Sequence, residues 1–381
     1  MKNLRVTALA LLAACLCACG SSRPEPLKTL SGLRQADFDT VVDGKQTELY
    51  VLTNASGMEV CVSNYGARIV SIMVPDRTGS MKDVVLGFDS IADYLSHSNN
   101  FGATIGRYAN RIANGRFVLD GQTIQLPQND HGHTLHGGPN GWDTRIFDGV
   151  QPDSSSVTLS LVSVDGDANF PGTVKASVTY TVTPDNALDI TYQATTDQKT
   201  IINMTNHSYF NLSGDPSRPA TDHLLYVNAT AISPIDSLAI PLAGPMDVAG
   251  TPLDFTTARP IASVIDMTEF EQIRNGIGID HNYILNTGGD VRTLAATLVS
   301  PASGIELEVF TNEPGLQVYT GNYLDGSVVG KKGIAYQYRS AVCLESQHFP
   351  DSPNRPQWPS VVLEPGQTYH SQCVYRFSVQ K

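Results

Sequence analysis

The sequence predicts an all-β protein, a sandwich or a barrel of antiparallel strands with few and short helices. From about residue 47 onward, short runs rich in Val, Ile, Thr and Tyr alternate apolar with polar residues, and turn-forming residues separate them. Helical periodicity is confined to residues 90–96 and 268–276. Many short strands with so few helices favour a sandwich or barrel over a βαβ fold.

The strand-like runs follow one another without a linker. In chain order they are residues 47–52, 59–64, 69–75, 116–119, 123–126, 157–164, 175–183, 188–195, 200–209, 224–232, 294–299, 305–311, 316–321, 341–346 and 371–378. Asp120-Gly121 is a hairpin signal, and Pro184-Asp185-Asn186 predicts a longer turn. We therefore expect one β domain over residues 46–381.

The N-terminus is typical of an export signal. Lys2 and Arg5 precede an apolar run over residues 6–19 that is too short to span a bilayer. A Leu, two small residues and a Cys, followed by small polar residues, resemble the bacterial lipobox. This pattern predicts a signal peptide over residues 1–18 and acylation of Cys19. Cys15 is the alternative acylation site, and an ordinary cleaved signal is the alternative interpretation.

Under the lipoprotein interpretation, residues 19–45 form the lipidated N-terminus and a tether. The domain would then be held at the cell envelope of a bacterium, in the periplasm or at the outer membrane. The membrane would be a partner only through this lipid anchor, and the sequence leaves open which leaflet holds it. The oligomeric state also stays open between a monomer and a homodimer.

Composition excludes several other partners. The formal net charge is −12, and charged residues make up 16% of the chain. Nucleic acids and anionic membranes attract basic surfaces, so we expect neither as a direct partner.

Three cysteines follow the N-terminal segment: Cys61, Cys343 and Cys373. They are odd in number and lie within strand-like segments. We expect buried thiols there and no disulfide scaffold.

Four segments carry polar residues that core packing does not explain: residues 106–112, 131–138, 203–212 and 343–347. In the last two segments, strand parity indicates which side chains face the same way, because residues i and i+2 of a strand share a face. His207 would share its face with Tyr209. Glu345 would share its face with Cys343, opposite Leu344. Such an arrangement is typical of the floor of a polar cleft and equally of a half-solvated sheet face.

The histidines of the second segment leave a choice. His131, His133 and His136 form an H-x-H-x-x-H array that could bind a metal ion. No Cys or carboxylate pattern completes such a site, and the flanking glycines fit a loop better. We therefore expect no metal ligand among the three.

A His and a Glu on one polar face form an acid–base pair. A cyclic sugar hemiacetal suits such a pair without a cofactor, because its anomeric hydroxyl gives up a proton while its ring oxygen accepts one. General acid–base catalysis needs pKa values near the working pH, which His has naturally and a buried Glu approaches. His207 and Glu345 are the candidates.

Seven short motifs occur in a fixed order over about 300 residues. They are Asn64-Tyr65-Gly66-Ala67, Gly106-x-x-Ala109-Asn110-Arg111-Ile112, Leu135-His136-Gly137-Gly138, Thr205-Asn206-His207-Ser208-Tyr209-Phe210-Asn211-Leu212, Asp280-His281-Asn282, Pro314-Gly315-x-Gln317-x-Tyr319-Thr320-Gly321-Asn322 and Leu344-Glu345-Ser346-Gln347-x-x-Pro350-Asp351. Each is weak alone. Together they resemble the galactose mutarotase (aldose 1-epimerase) family, from about residue 47 to residue 379.

The resemblance implies a large antiparallel β-sandwich of the galactose mutarotase type with an open sugar cleft. It implies an isomerase that interconverts the α and β anomers of aldohexoses such as galactose and glucose. It makes Glu345 the base at the anomeric hydroxyl and His207 the acid at the ring oxygen, with His136 beside that oxygen. The positions that match the family's hydroxyl-binding residues are Asn110, Arg111, Asp280 and Gln317.

The resemblance requires no cofactor and no metal, although a structural Ca²⁺ is compatible with so acidic a chain. One departure is His348-Phe349, where family members often carry Trp, so the cleft rim is expected to differ. Two alternatives stay open from the sequence. One is a hexose-phosphate 1-epimerase, which needs a cationic pocket. The other is a non-catalytic sugar-binding lipoprotein, which would not need an acid–base pair.

Overall fold

The computed structural model describes residues 28–97 and 100–380. Its strands pair antiparallel within each sheet, and a nine-stranded sheet packs against a six-stranded and a four-stranded sheet. The predicted all-β sandwich is therefore confirmed. No helix in this part of the chain is long and apolar enough to cross a membrane.

The strands are numbered in chain order. They are β1 (Thr40–Val42), β2 (Lys45–Thr47), β3 (Leu49–Thr53), β4 (Glu59–Ser63), β5 (Arg68–Pro75), β6 (Met81–Asp83), β7 (Ala103–Ile105), β8 (Arg111–Ile112), β9 (Arg116–Leu119), β10 (Gln122–Gln125), β11 (Thr134–Leu135), β12 (Asp148–Val150), β13 (Ser156–Ser163), β14 (Val174–Val182), β15 (Ala187–Thr196), β16 (Thr200–Ile201), β17 (Thr205–His207), β18 (Tyr209–Phe210), β19 (Leu224–Val227), β20 (Ala229–Ser233), β21 (Met246–Asp247), β22 (Arg259–Pro260), β23 (Asp280–Leu285), β24 (Leu294–Val299), β25 (Ile305–Thr311), β26 (Gly315–Tyr319), β27 (Val342–Gln347), β28 (Val362–Leu363) and β29 (Tyr369–Val379).

The helices are few. The α-helices are α1 (Ile91–Ser96) and α2 (Glu271–Asn275), and the 3₁₀ turns are Gln35–Phe38, Ala113–Gly115, Trp142–Thr144, Asp167–Asn169, Ile261–Ser263, Lys331–Gly333 and Ser352–Asn354. Both α-helices fall where the sequence predicts them. The hydroxyl of Ser90 caps α1 by accepting from the backbone N–H of Asp93, which fixes where that helix begins.

The nine-stranded sheet has the order β12-β13-β14-β15-β29-β25-β24-β19-β22. Its long strands alternate buried with exposed or half-buried residues, as in β14 and β29. This is the pattern of a sheet with one face on the core and one toward solvent. The turns predicted at Asp120-Gly121 and at residues 184–186 join β9 to β10 and β14 to β15.

The six-stranded sheet has the order β18-β27-β26-β23-β20-β21, and its central strands are buried on both faces. On one face, Val342 and Leu344 enter the main core. The hydroxyl of Tyr375, from the nine-stranded sheet, donates to the carbonyl of Leu344 at 2.7 Å and ties the two layers together. The other face of β27 carries Cys343 and Glu345, as strand parity predicts.

Several segments differ from the sequence-based expectation. The strand expected over residues 224–232 is two strands, β19 and β20, which belong to different sheets, and β23 falls outside the expected strands. The strand expected over residues 200–209 is three short strands, β16 to β18, because its residues pair with three different partners. Part of the segment expected to form a tether, residues 19–45, is folded. Residues from Leu33 onward fold onto the domain, and Leu33 and Phe38 are buried in a side cluster of the core. The predicted signal peptide, Cys15 and Cys19 lie outside the described residues.

A long loop, residues 320–341, connects β26 to β27 and is clamped by a buried ion pair. The ammonium of Lys331 donates to Asp83 Oδ2 at 2.6 Å and to the carbonyl of Val70 at 2.6 Å. Both side chains of the pair are more than nine-tenths buried. Removing one member of such a pair leaves the other charge buried without a partner.

We expect Lys331→Met to lower the free energy of unfolding by about 3 kcal/mol, because Asp83 would stay buried and unpaired. Urea denaturation measures this. The matched control is Lys45→Met, which removes an exposed pair with Asp148 and should cost less than about 1 kcal/mol. Equal losses in the two variants would contradict the role of Lys331.

Candidate active site

A cleft of about 280 Å³ lies over the buried polar face of the six-stranded sheet. Its volume lies near the lower end of the range for small-molecule sites and suits a small ligand. The residues that line it are Asn100, Phe101, Asn110, Arg111, Leu135, His136, His207, Tyr209, Asp280, Tyr319, Tyr323, Leu324, Val328 and Glu345. The cleft thus gathers six of the seven predicted site residues, from β8, β17, β23, β27 and the loops at residues 110 and 136.

His207 and Glu345 meet on the floor of the cleft. The imidazole Nε2 of His207 lies 3.6 Å from Oε1 of Glu345, and both side chains are more than nine-tenths buried. Strand register produces this contact. Tyr209 pairs with Cys343 across β18 and β27, and in an antiparallel register the residue two before Tyr209 then faces the residue two after Cys343.

Burial opposes charge on both members of the pair. Desolvation lowers the pKa of His207 to about 4. Desolvation also raises the pKa of Glu345 well above its usual value of 4.5, and the nearby carboxyl of Asp280 raises it further. The positive charge of Arg111 acts in the opposite direction on Glu345. Burial therefore favours an uncharged imidazole beside a carboxyl group that holds its proton.

His136 and Asn110 hold each other in place. The backbone N–H of Asn110 donates to Nδ1 of His136 at 3.1 Å, and the backbone N–H of His136 donates to the carbonyl of Asn110 at 3.0 Å. Because Nδ1 accepts, the proton of the neutral ring is on Nε2. Burial, followed by the charges of His207 and Arg111, lowers the pKa of His136 well below 6.5, so the ring stays neutral.

Both residues have left-handed backbone, with φ of 61° at Asn110 and 53° at His136. Such geometry at a residue other than Gly stores strain and concentrates at functional sites. The following Gly137 also has positive φ, and a Cβ there would lie 2.2 Å from the carbonyl oxygen of Gly106. This close approach explains the glycine that follows His136.

Arg111 and Asp280 reach the cleft with their orientation fixed by neighbours. The guanidinium Nε of Arg111 donates to Asp130 Oδ2 at 2.7 Å. The amide of Gln317 donates to Asp280 Oδ1 at 2.7 Å. Gln317 itself does not line the cleft. It lies beside Glu345 in the register of β26 and β27, and its Oε1 is buried without a hydrogen-bond partner.

Aromatic residues form the walls, and the sequence did not single them out as site residues. Tyr209 stacks on His207 with a 5.0 Å centroid separation, and Tyr319 stacks on Tyr323. Tyr323 is 63% exposed at the rim. Tyr209 and Tyr319 stand within the quoted motifs, so their positions were a usable signal. Tyr323, with Leu324 and Val328, belongs to the loop of residues 320–341, which has no strand pattern.

The other two histidines of the second segment lie apart from the pair. His131 is exposed, and Nδ1 of His133 accepts from the backbone N–H of Asn114 at 2.9 Å. Cys61, Cys343 and Cys373 are free and buried, as predicted. Within the described part of the chain, the side chains close enough to share one metal ion are His207, Cys343 and Glu345.

Comparison with known proteins agrees with this geometry. The family model for aldose 1-epimerase matches residues 48–376. An aldose 1-epimerase of Escherichia coli is 40% identical over 337 residues, which are 88% of this chain and 96% of the relative. A galactose mutarotase of Rattus norvegicus is 40% identical over 322 residues, which are 84% of this chain and 92% of the relative.

Solved structures give the same answer. A GalM/aldose epimerase homologue from C. elegans superposes with a TM-score of 0.82 at 31% identity, covering 88% of this chain and all of that one. A galactose 1-epimerase from Lactobacillus acidophilus gives a TM-score of 0.79 at 30% identity, covering 90% of this chain and 97% of that one.

Fold and cleft together define a sugar isomerase built on a β-sandwich. The chain belongs to the aldose 1-epimerase family. Its activity is the interconversion of the anomers of aldoses. The family resemblance stated from the motifs is thereby confirmed.

Glu345 is expected to destabilise the fold near neutral pH. An unfolded chain ionises this carboxyl above pH 4.5, whereas burial raises its pKa in the folded state. The folded state therefore binds more protons, and stability is lost as the pH rises above 4.5. Glu345→Gln removes this cost, and we expect it to stabilise the protein by about 1 kcal/mol near neutral pH.

Urea denaturation of the Glu345→Gln variant and the parent checks this. The gain should shrink as the pH falls to 4.5. Glu269→Gln, at an exposed position away from the cleft, is the control and should show no such trend. A destabilised Glu345→Gln variant near neutral pH would show that the carboxylate is better solvated than its burial indicates.

Proposed function

We propose that His207 and Glu345 are the catalytic residues and that the substrates are aldohexoses such as galactose and glucose. The observation that carries the proposal is the 3.6 Å separation of an imidazole nitrogen and a carboxyl oxygen on the floor of a sugar-sized cleft. A ring-opening reaction needs one group to take a proton while another gives one, and these two groups face the same small space.

In the forward step, the carboxylate of Glu345 removes the proton of the anomeric hydroxyl. The electrons of that O–H bond form the C1=O carbonyl, the bond between C1 and the ring oxygen breaks, and His207 gives its proton to the ring oxygen. The product is the open-chain aldehyde. Rotation about C1–C2 presents the other carbonyl face, and reversal of the proton transfers closes the ring to the opposite anomer.

A bound sugar would shift the protonation states of His207 and Glu345. Moving one proton from Glu345 to His207 leaves the net charge of the pair unchanged, so the balance between the two forms depends on how well the surroundings stabilise the separated charges. An anomeric hydroxyl donates a hydrogen bond and a ring oxygen accepts one. Both interactions favour the carboxylate–imidazolium form, which Arg111 also favours at Glu345.

The remaining residues position the sugar. His136 presents its Nε2–H beside the reacting pair, where it would donate to the ring oxygen as charge develops there. Asn110, Arg111 and Asp280 would bind the other hydroxyls from the cleft lining. Gln317 acts through Asp280, whose carboxyl it orients.

The charges of the cleft disfavour a phosphorylated substrate. Among the described residues that line it, Arg111 is the one Arg or Lys, and Asp130 already accepts from its guanidinium. Asp280 and Glu345 add carboxyl groups. A phosphate group needs a surplus of cationic donors, so a neutral sugar fits this cleft better.

We expect Glu345→Gln and His207→Asn each to lower the mutarotation rate at least about 100-fold, because each removes one of the two proton-transfer groups. Polarimetry of freshly dissolved α-D-glucose and α-D-galactose measures the rate. Glu269→Gln and His131→Asn, both exposed and outside the cleft, are the matched controls and should keep the parent rate. Rates like the parent's in both cleft variants would reject the assignment of these residues.

We also propose that the protein is a lipoprotein of a bacterial cell envelope, where it would act on sugars outside the cytosol. The support is the order of residues 1–22: two basic residues, an apolar run, a lipobox-like segment ending at Cys19, and small polar residues. Residues 20 to about 28 would serve as the spacer.

The intact mass of the mature protein tests the anchor. We expect a chain that begins at Cys19 and carries acyl groups. Cys19→Ala should release the protein from the membrane fraction, whereas Cys15→Ala should leave it there. The reverse result would move the anchor to Cys15. An unacylated mature chain would identify an ordinary cleaved signal peptide.

A further inference from the structure

Cys343 lies beside the catalytic pair and has no part in the proton transfers. One ligand atom from each of His207, Cys343 and Glu345 lies within 4.8 Å of the others, and all three residues are buried. Cys343 and Glu345 are two residues apart on β27 and share its polar face. The pairing of Tyr209 with Cys343 brings β18 and the preceding His207 against the same face.

Two polar atoms of this cluster are buried without a hydrogen-bond partner. They are Oε2 of Glu345 and Nδ1 of His207. Buried polar atoms in folded proteins nearly always have a hydrogen-bond partner, so an unpartnered one indicates that a ligand or a water molecule binds nearby. Both side chains, unlike Cys343, belong to the cleft lining, so a cation that enters the cleft approaches the cluster from their side.

We propose that His207, Cys343 and Glu345 form a binding site for a thiophilic divalent cation such as Zn²⁺ or Cd²⁺, and that this cation excludes the sugar. A thiolate, an imidazole and a carboxylate form a donor set that zinc accepts with a fourth, open position. Mg²⁺ and Ca²⁺ prefer oxygen donors alone and would bind poorly.

The geometry requires only a small contraction. At the bond lengths that zinc forms with N, O and S, tetrahedral ligand atoms lie roughly 3.3–3.7 Å apart. The separation of His207 Nε2 and Glu345 Oε1 is already 3.6 Å. The widest separation in the cluster, at most 4.8 Å, has to close by about 1 Å, which side-chain rotation can provide.

Binding of the cation displaces protons. Burial raises the pKa of the Cys343 thiol, so it is protonated at neutral pH in the metal-free protein. The cation takes the sulfur lone pair as the thiol proton leaves to solvent, and any proton held by Glu345 leaves in the same way. No electron transfer and no co-reactant are involved. Affinity should therefore fall at acid pH, where protons compete for the same atoms.

The functional consequence rests on the proposed function. A bound cation occupies the Nε2 lone pair of His207 and the carboxylate of Glu345, the two atoms proposed to exchange protons with the sugar. It also fills the floor of the cleft. Inhibition should be reversible by a chelator and competitive with the aldose.

The direct test is a Cd²⁺ titration of the mature protein, followed by the ultraviolet charge-transfer absorption of the Cd–thiolate bond. We expect one equivalent to give this band in the parent and no band in Cys343→Ser or Cys343→Ala. Cys61→Ala and Cys373→Ala remove the other buried thiols and are the matched controls, in which the band should persist. Loss of the band in Glu345→Gln would show that the carboxylate shares the ion. A band that survives in both Cys343 variants, or none in the parent, would overturn the proposal.

The activity test uses polarimetry with added Zn²⁺. The Cys343 variants should keep the metal-free rate, and their apparent inhibition constant for Zn²⁺ should rise at least about 10-fold over that of the parent. Unchanged Zn²⁺ inhibition in these variants would contradict the site. The absorption band does not depend on activity. If the protein shows the band but no mutarotation, the proposed function fails while the metal site stands.

Discussion

The structure depends on a sheet that is buried on both faces. Strands β23, β26 and β27 must pack apolar residues against the nine-stranded sheet and at the same time carry polar residues under the cleft. The burial of apolar residues in the sandwich core offsets the free-energy cost of burying these polar groups. Taking a carboxyl and an imidazole out of water is costly when they are charged, and it moves both pKa values toward the neutral forms. The proposed exchange of protons with a bound sugar would take place between these two poorly hydrated groups.

Register, more than sequence proximity, determines which side chains meet. Gln317 and Glu345 are neighbours because β26 and β27 pair antiparallel, and Asp280 joins them from β23. His207 arrives from a short strand on the opposite side of β27. The loops at residues 110 and 136 complete the cleft, and they hold each other through one backbone–backbone hydrogen bond and one from the backbone N–H of Asn110 to the His136 ring. The floor is thus rigid, since its geometry follows from ladders of backbone hydrogen bonds.

Much of this could be predicted from the sequence, and the failures have physical causes. Alternation identified the long strands such as β14 and β29, and parity placed Glu345 opposite Leu344 because the period of a strand is two. The fragmentation of residues 200–209 escaped notice, since composition does not show where a chain changes partners. Leu33 and Phe38 are too isolated to form a period, so the segment around them looked like a tether. The cleft wall of Tyr323, Leu324 and Val328 comes from a loop whose position depends on tertiary contacts alone.

The ion pair of Lys331 and Asp83 fixes the rim of the cleft independently of its floor. His207 and Glu345 stand on paired strands, whereas Tyr323, Leu324 and Val328 stand on a loop fastened to a different sheet. Replacements in that loop can reshape the opening of the cleft without shifting His207 and Glu345. Related proteins built on this scaffold can therefore differ in the carbohydrate that enters the cleft while they keep the same two residues on its floor.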